Sequence, residues 1–344
     1  MEPSDHPGVA RSMNAREPGL GDSWLRRLPW QARNPWQAHV PLGFVLDAGG
    51  EPAGYHFVIV QPLWLDGRVV PALFALDLFV AAEWRGTLHS LALTRSVFLL
   101  AGAGPIFTTT ANPTSEALWT RLSARPLPQG GVSLVRFRLS VRLATAAAER
   151  AGLRIPWGGA PTRSRPPAPE LADLGSGWRS EPLEAFHAEA AGLWAQVRPL
   201  FPLATDRTAE FLAWRYAPDS PGGVLIGLRE NGGPLRAWYA YRLTERGGRT
   251  RVRLFSVLDV MGKPEDREAL TALGRDVLGR ARATGAEVVE ARGMRREFRS
   301  ALREGARLSE RRLPSNPFLG KVRPPAPPAE DWHLVSGDGD GGFA

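Results

Sequence analysis

No cysteine occurs in the 344 residues, which excludes a disulfide framework, a thiolate metal site and a cysteine nucleophile. Lysine is nearly as scarce. Lys263 and Lys321 are the only two, so the net charge of +8 is carried by arginine. A nucleic-acid partner calls for basic patches interleaved with stacking aromatics, and the local clusters at 292–303 and 307–312 are not built that way. Nucleic acid is therefore not expected as a partner. Long apolar runs are also missing. The longest, 69–80, is broken by Pro71 and Asp77 and falls short of the ~20 residues of a membrane helix. The charged start, with Glu2, Asp5, Arg11, Arg16 and Glu17, has no apolar segment of the kind a secretory leader carries. No membrane span and a cytoplasmic location are the resulting expectations. No metal-ligand cluster, Walker-type loop or G-x-S-x-G elbow is visible either.

What is present is 43% apolar residues in a chain long enough for two domains of roughly 100–200 residues. Residues 1–35 are polar and punctuated by glycine and proline, and disorder is expected there. An N-terminal domain is read over 36–148. It starts with strands at 42–46 and 53–65, followed by a tight hairpin turn at Asp66-Gly67. A third strand, 68–80, is apolar enough to be buried on both faces. Helix 88–102, strand 105–111, helix 116–123 and an alternating strand 132–143 complete it. Pro156, Pro161, Pro166, Pro167 and Pro169 mark a linker over 149–178. A C-terminal domain over 179–322 repeats this grammar. Helices 184–197 and 207–216 precede strands 224–229, 235–244 and 250–260. An amphipathic helix 264–284 with Pro264 in its first turn follows, then strand 287–291, helix 297–304 and a strand region at 306–321. The tail 323–344 is rich in proline, then in glycine and aspartate, and disorder is expected there too. The fold class is α+β, with mixed sheets carrying helices on both faces.

Two strand–strand–strand–helix–strand–helix–strand units in one chain resemble the GNAT acyltransferase superfamily in tandem arrangement. The likeness is carried by 77–90, by Thr108-Thr109-Thr110-Ala111-Asn112, and by 206–216 with its Phe211-Leu212-Ala213-Trp214-Arg215-Tyr216. It spans about residues 35–322 and is similar to double-GNAT proteins that include members encoded among bacterial cell-surface polysaccharide genes. The resemblance implies acetyl-CoA or another acyl-CoA as co-substrate. It also implies an acceptor amine or hydroxyl on a small molecule, sugar or cell-envelope precursor, and direct attack on the thioester. Two other readings stand beside it: a Fem-like transferase using aminoacyl-tRNA, and a non-catalytic binding or regulatory protein on a degenerate GNAT pair.

In that superfamily a Q/R-x-x-G-x-G/A turn wraps the acyl-CoA pyrophosphate, using backbone N–H groups at a helix N-terminus, which favours anions. The resemblance places this turn just after Val80, on Arg85, Gly86, Thr87, Leu88, His89 and Ser90. Arg85 fits the first position, whereas Leu88 and Ser90 stand where the glycines belong. Asn112, at the end of the next strand, matches the residue beside the pantetheine arm; it also reads as an ordinary helix start. The tyrosine that many members use as general acid is replaced by Trp119, whose indole N–H is no proton source at neutral pH. Asp77 and Glu83 are the candidate general bases. Asp77 sits in an apolar strand where desolvation raises a carboxyl pKa. The matching place in the second half, 259–265, has no phosphate turn and puts acidic residues at the helix start. A scaffold or acceptor-binding role follows for that half.

Overall fold

The computed structural model describes every residue except 17–19, 86–87, 110, 139, 152–171, 175–176, 184–186, 217–222, 247–249, 313–317, 324–325 and 339–344. Gly86, Thr87 and most of the expected linker therefore lie outside the described residues. Two mixed sheets with helices packed on them make up the molecule.

The first sheet runs Gly43–Asp47, Pro52–Leu65, Arg68–Val80, Ile106–Thr108, Leu319–Lys321 and Arg125–Pro126, with Leu203–Thr205 pairing the far half of Pro52–Leu65. Asp66-Gly67 forms the expected hairpin turn, both residues at positive φ (44° and 85°), as a turn matched to strand twist requires. The second sheet runs Ser309–Arg312, Val132–Phe137, Val288–Arg292, Val252–Gly262, Leu235–Arg246, Val224–Glu230, Trp178–Pro182 and Ala172–Asp173.

The halves of the chain trade strands. Val132–Phe137 comes from the first half, yet lies in the second sheet between Val288–Arg292 and Ser309–Arg312. In return Leu319–Lys321 enters the first sheet between Ile106–Thr108 and Arg125–Pro126. The alternation expected to continue to 143 stops at Phe137. The Ser140 hydroxyl then accepts from the Leu143 amide at 3.0 Å and caps a helix, Val141–Arg150. The expected strand region 306–321 is likewise two strands, one in each sheet.

Among the described residues, both terminal segments carry structure where disorder was expected. Residues 1–35 form helices His6–Arg16 and Leu20–Ala32. Trp24, Leu28 and Trp30 sink into the core, the Trp24 ring stacking on Phe57 at 4.1 Å. Aromatic burial on that scale outweighs the polar average of the segment. In the tail, Trp332, Leu334 and Val335 are buried with His333 and Asp338. One core cluster spans both halves: Trp24 and Trp30 from the N-terminal helices share it with Trp194, Trp214, Tyr239 and Tyr241 from the second half.

Candidate functional site

Strands Arg68–Val80 and Ile106–Thr108 are parallel, but pair only at Leu73–Ile106 and Phe74–Phe107. Beyond that point Arg68–Val80 continues for six residues while its neighbour ends, so the two separate toward their C-terminal ends. A ligand arm lying in such an opening meets backbone groups that no strand partner uses.

A β-bulge marks the same stretch. Tyr55 faces Phe79 and Phe57 faces Leu76, so Asp77 and Leu78 together oppose His56. Asp77 takes φ of 44°, a conformation aspartate tolerates and bulges use to re-aim a side chain. Its carboxyl lies within the electrostatic reach of the Arg27 and Arg16 guanidiniums, one from each N-terminal helix. Burial raises the Asp77 pKa above the ordinary carboxylate range, against the downward pull of Arg27 and then Arg16. Arg16 also donates to the Tyr55 hydroxyl at 3.5 Å. Burial pushes that phenol up to about 12. His56, fully buried opposite the bulge, is driven down to about 4 by desolvation.

The strand exits into the turn. Val80 is buried, and its carbonyl accepts from Arg85 Nε at 2.9 Å. The Arg85 and Arg16 guanidiniums lie 5.8 and 5.5 Å from the Phe79 ring centroid, so two cations attend one ring. Glu83 is exposed on the short turn Ala82–Trp84, and His89 packs edge-on against Trp84 at 5.0 Å. Leu88, 78% exposed, is the N-cap residue of helix His89–Ala101 and has no side-chain acceptor for the first amides. Ser90 is half-buried, and its carbonyl accepts from the Thr94 hydroxyl at 2.9 Å. The structure thus gathers Asp77, Val80 and Arg85 at one strand end, with Leu88, His89 and Ser90 opening the helix that follows. Arg16 and Arg27 join them from a segment that composition alone gave no reason to place there.

Asn112 sits across the opening and is engaged in a cap. Its side chain accepts from the Ser115 amide at 2.9 Å, and its own amide donates to the Ser115 hydroxyl at 2.9 Å. Trp119 is core, edge-on to Phe98 at 5.0 Å.

The second sheet repeats the opening with a different outcome. Val252–Gly262 and Val288–Arg292 pair in parallel from Leu254–Val288 to Val257–Ala291 and then part, beside a bulge at Leu258. Here the chain's own C-terminal segment fills the gap. Met294 donates its amide to Leu334 O at 2.8 Å, Gly293 bridges to Val335, and a His333 ring nitrogen meets Val260 O at 2.9 Å. Gly293 has φ of 77°, and a Cβ there would lie 2.2 Å from Leu334 O, so only glycine permits the approach. Arg207 anchors the plug, gripping Asp259 with two 2.9 Å bonds and reaching Asp338 at 3.5 Å. The helix at this opening, Arg267–Ala283, is already capped by the Asp266 carboxylate, which accepts from Ala269 N at 3.2 Å. Trp214, Arg215 and Tyr216 are buried core residues.

Similar solved structures show the fold. An N-acetyltransferase of the GCN5-related type from Anabaena variabilis superposes with TM-score 0.54 at 12% identity, over 93% of this chain and 71% of that one. The N-myristoyltransferase of Saccharomyces cerevisiae, solved with myristoyl-CoA and inhibitors bound, gives TM-score 0.55 at 11% identity, over 90% of this chain and 75% of that one. The chain has a GNAT-type fold. No protein-family model and no curated protein matches the sequence. Within the GNAT fold, the parting parallel strands, the bulge and the following helix are the frame on which the candidate residues sit. Among the described residues no group of acidic or histidine side chains is arranged to hold a metal ion, and no helix is long and apolar enough to cross a membrane.

Proposed function

We propose that the protein is an acyl-CoA-dependent acyltransferase that acts on an amine or hydroxyl of a small-molecule or saccharide acceptor, with one working cleft, in the first sheet. The observation that carries this is the difference between the two openings. The first is edged by Asp77, Arg16 and Arg85 and leads to a helix whose N-cap residue supplies no side-chain acceptor. The second is plugged by residues 332–338 and has a carboxylate at its helix start. The helix dipole favours an anionic pyrophosphate at the first and a capping acid disfavours it at the second. The solved neighbours support the same reading, since one holds myristoyl-CoA.

In this reading the acceptor nitrogen or oxygen attacks the thioester carbonyl, the carbon–sulfur bond breaks, and the CoA thiolate leaves. Asp77 takes the acceptor's proton; its raised pKa brings it closer to the neutral range in which a general base is most effective. Arg85 and Arg16 hold the phosphates, and Val80, Leu88, His89 and Ser90 line the approach. Asn112 orders the far side as a cap.

Calorimetric and thermal-shift titration with acetyl-CoA, decanoyl-CoA and myristoyl-CoA tests the reading. Saturable binding to at least one of them, abolished by Ser90→Glu, is the expected result. Failure to bind any would overturn it and leave a non-catalytic role; salt-sensitive binding to charged tRNA alone would replace it with aminoacyl transfer.

A further inference from the structure

A concave site lies in the second sheet at the end remote from its opening. Helix Arg267–Ala283 crosses back along the sheet, so its last turn stands beside the start of Val288–Arg292. Val132–Phe137 runs antiparallel to that strand, with Phe137 opposite Val288, and ends at the same place. The opening filled by residues 332–338 is at the opposite ends of these strands. Between the helix end and the exchanged strand is a cavity of about 540 Å³, a size typical of small-molecule sites.

Its floor is apolar, formed by Leu278, Ala281, Ala286 and Val289, and its polar lining is Arg136, Arg138, Arg282 and Glu287. Glu287 is engaged inside the fold. Its carboxylate accepts from the Arg253 amide at 2.7 Å and faces Arg142 at 3.9 Å. Arg136 donates to Ala306 O at 3.3 Å. Arg138 and Arg282 are exposed and make no ion pair with any described residue. Two uncommitted guanidiniums at the rim of an apolar hollow demand an anion that carries its own apolar body. A guanidinium fork matches a carboxylate with two parallel N–H···O bonds, and the hollow gains from covering apolar surface.

We propose that this cavity binds an amphipathic organic anion, an aliphatic or aryl carboxylate, with its body on the Leu278–Val289 floor and its charge held by Arg138 and Arg282. The site is built from an exchanged strand and a crossover helix, and is independent of the acyl-CoA reading.

The test is calorimetric titration of the full chain with decanoate, with decyltrimethylammonium as the charge-reversed control. Decanoate is expected to saturate one site that decyltrimethylammonium does not occupy. The double variant Arg138→Glu/Arg282→Glu should bind at least about 10-fold more weakly, the loss of two charge-assisted contacts. Because both side chains are exposed, its thermal unfolding should match the parent. If it does not fold, the single variants Arg138→Ala and Arg282→Ala each replace it, with at least about 3-fold weakening expected on the same grounds. Arg85→Glu, in the other sheet, should leave decanoate binding unchanged. Absence of saturation, equal affinity for the cation, parental affinity in the arginine variants, or loss on Arg85→Glu would each overturn the proposal.

Discussion

Trp30 and Trp214 are bonded to each other twice. Trp30 Nε1 donates to Trp214 O at 2.9 Å, Trp214 Nε1 donates to Trp30 O at 3.2 Å, and the rings stack with centroids 4.6 Å apart. This pair ties the N-terminal helix Leu20–Ala32 to helix Ala209–Arg215 across 184 residues of sequence. The same helix carries Arg27 to Asp77, so the lock also holds the candidate site together.

Replacing Trp30 by alanine removes a buried ring and leaves the Trp214 carbonyl without its indole donor. A loss of about 3–5 kcal/mol is expected from ring deletion in a core, read as a lower midpoint in urea unfolding. Loosening of the helix should also lower transferase activity in the fraction that remains folded. A stability unchanged from the parent would show that the N-terminal helices are not part of the core.

Asp77→Asn keeps the size of the side chain and removes its capacity to take a proton. The turnover rate with a saturating acyl-CoA should fall by about 10²–10⁴, the usual contribution of a positioned general base, while acyl-CoA affinity stays near the parental value. Burial sets the Asp77 pKa above the ordinary carboxylate range. The acid limb of the parent's rate profile should therefore lie above the pH at which an exposed aspartate titrates, and should vanish in the variant. Glu83→Gln, altering an exposed side chain on the turn that follows the strand, is expected to leave the rate within a factor of about two, the range of an ordinary surface change.

Arg85 and Arg16 attend the same Phe79 ring from two elements. Either one changed to alanine should weaken acyl-CoA binding by about 10-fold, the value of one charge-assisted contact to phosphate. Dephospho-CoA derivatives lacking the 3′-phosphate should be affected equally, since the turn is read as holding the pyrophosphate. Equal affinity in parent and variants, by calorimetry, would place the phosphates elsewhere.

His56 sets a pH dependence of stability. Its folded pKa is about 4 against an ordinary 6.5, because burial disfavours the charged ring. The unfolded chain therefore takes up a proton that the folded chain refuses between those values, and stability falls as pH drops from about 6.5 toward 4. The full loss is about 3 kcal/mol for a shift of this size. Above pH 7 both states hold a neutral ring and the effect disappears. Urea midpoints at pH 7.5 and pH 4.5 should differ accordingly, and His56→Leu should reduce the difference.

Gly293→Ala addresses the plug in the second sheet. With φ at 77° and a Cβ destined to fall 2.2 Å from Leu334 O, the variant carries backbone strain of about 1–3 kcal/mol. Residues 332–338 should undock first, seen as faster hydrogen exchange at the Val335 amide, which donates to Asp338 Oδ2 at 2.8 Å. Exchange in the Trp24–Phe57 core should not change.

Much of the molecule is written locally in the chain. The hairpin at Asp66-Gly67 and the helix over 267–283 follow from turn chemistry and a 3.6-residue apolar period, and Asp77 stands out as an acid inside an apolar strand. Two signals at the ends were also local: the Trp24/Leu28 pair one helical turn apart, and the short apolar run Trp332-His333-Leu334-Val335. A polar average over each segment hides them. What tertiary structure alone decided is which strand pairs with which. Backbone hydrogen bonding is indifferent to sequence distance, so nothing in Val132–Phe137 or Leu319–Lys321 states that each completes the other half's sheet. The same holds for the site. Arg27 comes near Asp77 only because stacked tryptophans fix its helix over the bulge, and Arg16 arrives on the helix before it. The second opening is closed only because a distant tail supplies the hydrogen bonds its parted strands leave unmet. Sequence determined most of the elements and the acid; long-range packing determined the charge around it and which opening the C-terminal segment fills.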